Sequence, residues 1–524
     1  MTLHRGHEGT PSSSERLRLR VMGLGLRSKM ALGSETLIVM SVLMLGILLR
    51  TVDLTDPPLD FQAWRQLRSA SIARGIYYEM NPDASPDLRD RAMELGTYEA
   101  LEPPLFESLV AVTYTFLGQE RLWIARAYAI LFWTTGGAAL YLVVRRVVAA
   151  RGALISLLYY LFLPFSVVVS RSFLPDVPMV CLTLCALALL LRWISRRTWV
   201  WATAAGIVAG LAITTKIFSV FPLGLAMVFL VVSDRGFLKG LRSGQAWWLA
   251  ALMSAIPATY YVCLRTGAAG DYLHDWVLPF SRMLIDPWFY VRWSAAVHRT
   301  ATLYAALLGL LGVALSRGRA RTLLVSLWAG YILFGAAVPS LIISHTYYQA
   351  ILLPIVAISL APLAERALDR AARWPGWLRS AATASAMLVL GLCIWAAARG
   401  LLAQDFRPEI LGWIKMGSEI PVGEPMIGLT HDYNARLRYY GWREVAQWPH
   451  ATDLEMNVLA GGNYDPTDPE IANVFRQRTA GYSYFIVTLF GELDRQPVVK
   501  GVLQDNYPAT TGEGYILYDL RSSR

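Results

Sequence analysis

Long apolar blocks with almost no charge leave this 524-residue chain few ways to fold. Met30–Leu49 carries a single charge, Glu35, over about twenty residues, the length that crosses a bilayer as a helix. Further apolar runs fall near 122–144, 152–169, 177–194, 199–215, 217–233, 246–264, 298–316, 322–338, 347–363 and 380–399. That gives about eleven candidate transmembrane helices. The runs are continuous and do not alternate, which excludes a transmembrane barrel. A soluble fold is excluded by balance. At 55% hydrophobic and 16% charged residues and a mean hydropathy of +0.40, there is too little polar surface to cover the apolar one.

The connectors carry the orientation. Arg145, Arg146 and Arg151 lie in one; Arg192, Arg196 and Arg197 in another. Arg235, Lys239 and Arg242 follow, then Arg317, Arg319 and Arg321, then Arg366, Arg370, Arg373 and Arg379. All fall on the side of the basic N-terminus, residues 1–29, with Arg5, Arg16, Arg18, Arg20, Arg27 and Lys29. The positive-inside pattern makes that side cytoplasmic. It also accounts for the net charge of +10, so no nucleic-acid partner is expected. The expectation is a multi-pass protein of the cell (inner or plasma) membrane with a cytoplasmic N-terminus. The first run is longer than a signal-peptide core and is read as a retained anchor. Cys181, Cys185, Cys263 and Cys393 all sit within apolar runs without zinc spacing and read as small core residues.

Three outward segments are long. Residues 51–107 are rich in acid. Residues 266–297 hold Trp276, Trp288 and Trp293, the composition of a segment lying at the membrane interface. From residue 401 on, short strand-like stretches (Pro425–Leu429, Tyr484–Leu489, Tyr515–Leu520) alternate with helical ones. The expected architecture is an all-α polytopic domain over 30–400 and a small extracytoplasmic α/β domain over 401–524.

Ionisable residues collect on the outward face. Asp60 precedes an amphipathic stretch with Trp64 and Arg65, where a carboxylate also serves as a helix cap. Glu102 stands before Pro103-Pro104, again a cap-like place. The short turn 170–178 holds Arg171 and Asp176, which a simple ion pair would explain. Lys216 sits in a turn between two apolar runs, and His345, followed by Tyr347 and Tyr348, opens another. Charges so close to hydrocarbon are costly and mark function or pairing. A transporter places them at mid-depth. Here the middles of the spans hold few, which favours chemistry at the outer surface. A transporter or flippase for a lipid-linked substrate is the alternative.

These stretches resemble a known group. Asp60 with Trp64-Arg65-Gln66 and Ile72-Ala73-Arg74, then Glu102-Pro103-Pro104-Leu105, Gly118 with Arg126, Pro175-Asp176, Lys216-Ile217 and His345-Thr346-Tyr347-Tyr348 are similar to the membrane glycosyltransferases of the GT-C fold. The branch resembled is the bacterial form of the dolichyl-phosphate-mannose protein mannosyltransferase and aminoarabinose transferase superfamily. The likeness covers residues 36–363, with a looser one in Tyr439-Tyr440-Gly441-Trp442 and Tyr484-Phe485-Ile486-Val487. Many relatives carry Asp-Glu where this chain has Asp60-Phe61. The resemblance implies inverting transfer of a sugar from a polyprenyl-phosphate donor to a lipid, glycan or protein acceptor. It implies Asp60 as general base, with Glu102 and Asp176 as further acids, and Arg65, Arg171, Lys216 and His345 on the donor phosphate. Trp64, Tyr347 and Tyr348 would meet acceptor or lipid, and Glu102 with Asp176 could hold a divalent cation, Mg or Mn.

Overall fold

The computed structural model describes residues 33–98, 102–264, 277–459 and 463–522. The basic N-terminus and the first part of the second long outward segment, Trp276 included, lie outside the described residues. Each apolar run is helical over its described residues. Among the described residues eight helices are long and apolar enough to cross a membrane, or nine if Pro287–Ala301 and Leu303–Leu315, bent by 94°, are one span. This is fewer than the eleven full spans expected, for local reasons. The run 152–169 breaks where Pro164 removes a backbone donor, giving Ala150–Phe162 and Pro164–Val169. Trp199–Thr215 is short because the chain turns extended at Lys216.

Helix Asp176–Arg196 is central, packing on both Trp123–Val147 and Trp199–Thr215. The stacked rings of Trp133 and Tyr160, 4.6 Å apart, join Trp123–Val147 to Ala150–Phe162. The first outward segment folds as a helical hairpin, Ala63–Glu79 and Pro86–Gly96, then a third helix, Leu105–Leu117. The hairpin closes over two glycines: a Cβ on Gly96 would stand 2.9 Å from the Gly75 Cα. Gly118 ends the third helix at φ 66, a left-handed cap that suits a residue without Cβ.

The C-terminal domain is a five-stranded sheet in the order β2-β1-β3-β5-β4. Its strands are β1 Met426–Leu429, β2 Ala446–Gln447, β3 Tyr484–Val487, β4 Ala509–Gly512 and β5 Tyr515–Asp519. The first three in that order are parallel, and β5 is antiparallel to both neighbours. Alternation assigns the faces. Ile427, Leu429, Phe485, Val487 and Tyr518 pack with Phe475, Val499 and Leu503 on one side. Met426, Ile486, Tyr515 and Leu517 turn to the other side and join Trp413, Leu437 and the continuous core of the membrane helices.

Candidate active site

Two polar clusters lie at the start of the first-segment helix Ala63–Glu79, one reached by Arg65 and the other by Gln66. One is a network of ion pairs that borders a cavity of about 270 Å³ lined by Arg65, Arg68, Glu102 and Glu107. Arg65 donates to both Glu102 oxygens at 3.3 and 3.4 Å. Lys216 donates to both Asp176 oxygens at 2.9 and 2.8 Å and stands 3.9 Å from Glu102. Its ammonium also lies 4.9 and 4.5 Å from the ring centres of Tyr347 and Tyr348. Arg65 is sandwiched at 5.3 Å from Trp64 and 5.8 Å from Tyr347. His345 lies against the same two tyrosines, its Nδ1 2.7 Å from the Ser344 hydroxyl. Burial, with Arg65 and Lys216 nearby, pushes the His345 imidazole down to about 4. It is therefore neutral at physiological pH, a donor of one N–H and not a cation. Burial raises the Glu102 carboxyl, but Arg65, Lys216 and Arg68 outweigh it and hold it below the usual range.

This network changes the sequence picture in two respects. Lys216, expected on the donor phosphate, is 1% exposed and committed to Asp176. Glu102 and Asp176, considered for a divalent cation, have an ammonium between them and do not fit a shared metal. Among the described residues no group of three or more His, Cys, Asp and Glu is placed to hold a metal ion.

The other cluster is open. A cavity of about 360 Å³ is lined by Asp53, Asp56, Asp60, Arg126, Arg171 and Arg299, with an apolar wall from Phe165, Val168 and the helix Gly376–Leu402. Arg126 pairs with Asp60 at 3.2 Å. Gln66 reaches Asp60 Oδ1 at 3.4 Å, and its carbonyl accepts from the Phe173 amide at 2.9 Å. No hydrogen bond reaches Asp60 Oδ2 among the described residues. Asp60 is not a helix cap: Gln62 holds that position, in a left-handed turn at φ 49. Nor do Arg171 and Asp176 pair, since Arg171 donates to the Asp53 carbonyl at 2.8 Å. Arg171 is 2% exposed, yet its Nε and Nη1 have no partner, and neither has Arg126 Nε. Burial and then Arg126 lower the Arg171 guanidinium to about 10, still protonated at neutral pH. Buried guanidinium donors left unspent are costly and mark a place for an anion. Arg126 and Arg299 had no assigned role from sequence. Arg126 heads an apolar run, where a charge reads as a boundary, and its partner is remote in the chain. Only its place in the resemblance singled it out.

Residues 101–261 match the dolichyl-phosphate-mannose-protein mannosyltransferase family. No curated protein sequence matches the chain. In structure it is similar to ArnT from Cupriavidus metallidurans bound to undecaprenyl phosphate, with a TM-score of 0.52 and 16% identity over 93% of this chain and 98% of that one. It is also similar to the oligosaccharyltransferase of Archaeoglobus fulgidus in its apo form, with a TM-score of 0.55 and 13% identity over 90% of this chain and 73% of that one. The same archaeal enzyme in complex with zinc and sulfate gives a TM-score of 0.53, 13% identity and coverage of 89% and 71%. The chain is therefore a membrane protein of the GT-C glycosyltransferase fold whose residues 101–261 match the dolichyl-phosphate-mannose-protein mannosyltransferase family.

Proposed function

We propose that this protein transfers a glycosyl group from a polyprenyl-phosphate carrier to an acceptor hydroxyl on the extracytoplasmic side of the cell membrane. The observation that carries this reading is the open cavity, in which Asp60 shares space with the unspent donors of Arg171 and Arg126 and with Arg299. A phosphodiester monoanion would meet those guanidinium groups through charge-assisted hydrogen bonds. Its prenyl chain would follow the apolar wall. The undecaprenyl phosphate bound by the Cupriavidus protein is a carrier of this kind.

Asp60 takes the proton of the acceptor hydroxyl as the oxygen attacks the anomeric carbon. The bond from that carbon to the phosphate oxygen breaks, and its electron pair leaves with the polyprenyl phosphate. The developing charge on the leaving phosphate is stabilised by Arg171, Arg126 and Arg299. One displacement inverts the anomeric centre. Arg65, Lys216, Asp176, Glu102 and His345 then hold the loops in place and present Trp64, Tyr347 and Tyr348. In this reading residues 30–400 are the catalytic membrane domain, the N-terminus is cytoplasmic, and residues 401–524 form an extracytoplasmic domain.

Asp60→Asn is expected to abolish transfer, a loss of about 10²–10⁴-fold for a missing general base, while the protein inserts and binds donor. Near-normal turnover of that variant in a reconstituted assay removes Asp60 from the role. Arg171→Gln is expected to raise the donor KM about tenfold or more, through loss of a charged hydrogen bond, without moving the acceptor KM.

A further inference from the structure

The C-terminal domain carries a site of its own. From β1 the chain moves to one side to form β2 and returns on the other as β3, with all three parallel. Connections leaving in opposite directions open a crevice at the carboxyl end of the central strand. The segment that follows β1 is strained there. Asp432, Tyr433 and Asn434 are consecutive non-glycine residues at φ 50, 53 and 71. Left-handed backbone of this kind persists where surrounding structure enforces it, characteristically at binding sites.

The strain presents a particular surface. The Tyr433 ring is 40% exposed, stacks on His450 at 4.5 Å and donates from its hydroxyl to Asp453 at 2.8 Å. His450 is 8% exposed, and its Nε2 is buried without a partner. His431 adjoins, its Nδ1 2.9 Å from the Thr488 hydroxyl. Trp64 packs against this edge, its ring centre 5.8 Å from that of Tyr433 in an edge-on contact. Trp64 lies four residues after Asp60, in the first turn of the helix Ala63–Glu79.

We propose that this edge binds an uncharged carbohydrate over the contiguous rings of Trp64, Tyr433 and His450, and that this carbohydrate is the acceptor. Calling it the acceptor rests on the glycosyltransferase reading above; the binding itself does not. The chemistry selects the class. Asp432, Asp453 and Glu492 surround the edge, and Arg436 is spent on Asp432 and Glu409. Among the described residues an anion finds no free cation there. A sugar ring offers C–H faces to the two aromatic rings. Its hydroxyls offer donors and acceptors to the unpartnered imidazole nitrogen and to the carboxylates.

The test uses the full chain in nanodiscs and saturation-transfer NMR with the methyl glycosides of glucose, galactose, mannose and N-acetylglucosamine. At least one glycoside is expected to show saturated ring protons. The signal should fall at least fivefold in Tyr433→Ala. It should also fall in His450→Gln, which leaves the Tyr433 ring and its bond to Asp453 in place. No saturation of any glycoside, or parental saturation in both edge variants, overturns the proposal. Glycoside binding without sugar transfer from polyprenyl phosphate sinks the transferase reading and leaves the site standing. Transfer with an unchanged acceptor KM in Tyr433→Ala and His450→Gln sinks the acceptor assignment alone.

Discussion

Lys216 shows how far a single residue can be read from its neighbours in sequence. A lysine in a tight turn between apolar runs has to snorkel, bind an anion or find a carboxylate; that it finds Asp176 was not legible, because Asp176 lies on another helix. A fully buried pair of this kind is asymmetric in its energetics. Removing one partner strands the other charge and costs about 3–5 kcal/mol, whereas replacing both with apolar groups is close to neutral. Lys216→Met and Asp176→Leu are therefore each expected to lower thermal stability in detergent sharply, and the double variant to recover most of the loss. Additive losses in the double variant rule out this account of the pair. His345 gives a second expectation. Its folded pKa of about 4 lies below the ordinary value of about 6.5, so the unfolded chain binds a proton first as pH falls. The stability it contributes is complete above about 6.5 and is lost as pH drops toward 4. Melting temperatures from pH 7 to 4 should fall more steeply for the parent than for His345→Gln. Parallel curves contradict the burial argument.

Among the elements, hydropathy located the helices and short strand-like stretches after residue 401 located three strands, because both signals are local. What joins them was not legible. The motif Tyr439-Tyr440-Gly441-Trp442 looked like a loose family likeness; in the structure it is the clamp between the C-terminal domain and the first outward segment. Arg74 donates to the Tyr439 carbonyl at 2.6 Å and pairs with Glu120 at 3.0 Å. Its guanidinium lies 3.7 Å from the Tyr439 ring centre and 4.4 Å from that of Trp442. Arg91 holds the Trp442 carbonyl, and Arg438 reaches back to the carbonyls of Leu95 and Thr97. A planar, stacked, multiply bonded guanidinium is not replaceable by an ammonium. Arg74→Lys is expected to raise hydrogen exchange together in Ala63–Glu79, Pro86–Gly96 and Ala435–Tyr440, leaving the membrane helices protected. Exchange confined to the site of substitution means that the clamp does not couple these elements. The open cavity was missed for a related reason: its cations come from three separate stretches of chain, and no local pattern reports that Arg126, Arg171 and Arg299 converge.

For the molecule as a whole, the decisive property is that its two ends differ in chemistry. Helix Asp176–Arg196 carries Asp176 at one end and Arg196 at the other, and Trp199–Thr215 returns the chain to Lys216. The candidate sites thus share an end, and the basic connectors share the opposite one. There the surplus arginines are partly tied down, Arg197 and Arg319 to Asp234 at 2.8 and 2.6 Å, and Arg151 to Glu365 and Asp369 at 2.6 Å. Basic connectors are retained in the cytoplasm during insertion, so the site end and the C-terminal sheet should face outward. This can be read directly. In a background with Cys181, Cys185, Cys263 and Cys393 replaced by alanine, Asp468→Cys on the exposed surface of the C-terminal domain and Arg373→Cys on the opposite connector report the two sides. A membrane-impermeant maleimide applied to intact cells (spheroplasts where an outer membrane intervenes) is expected to label Asp468→Cys alone. After permeabilisation it should label both. Labelling of Arg373→Cys alone in intact cells would invert the protein and put Asp60 and its cavity in the cytoplasm, which the proposed reaction does not survive. Labelling of neither before permeabilisation would place both ends inside, which an odd number of crossings between the two residues and the single span Gly376–Leu402 does not allow.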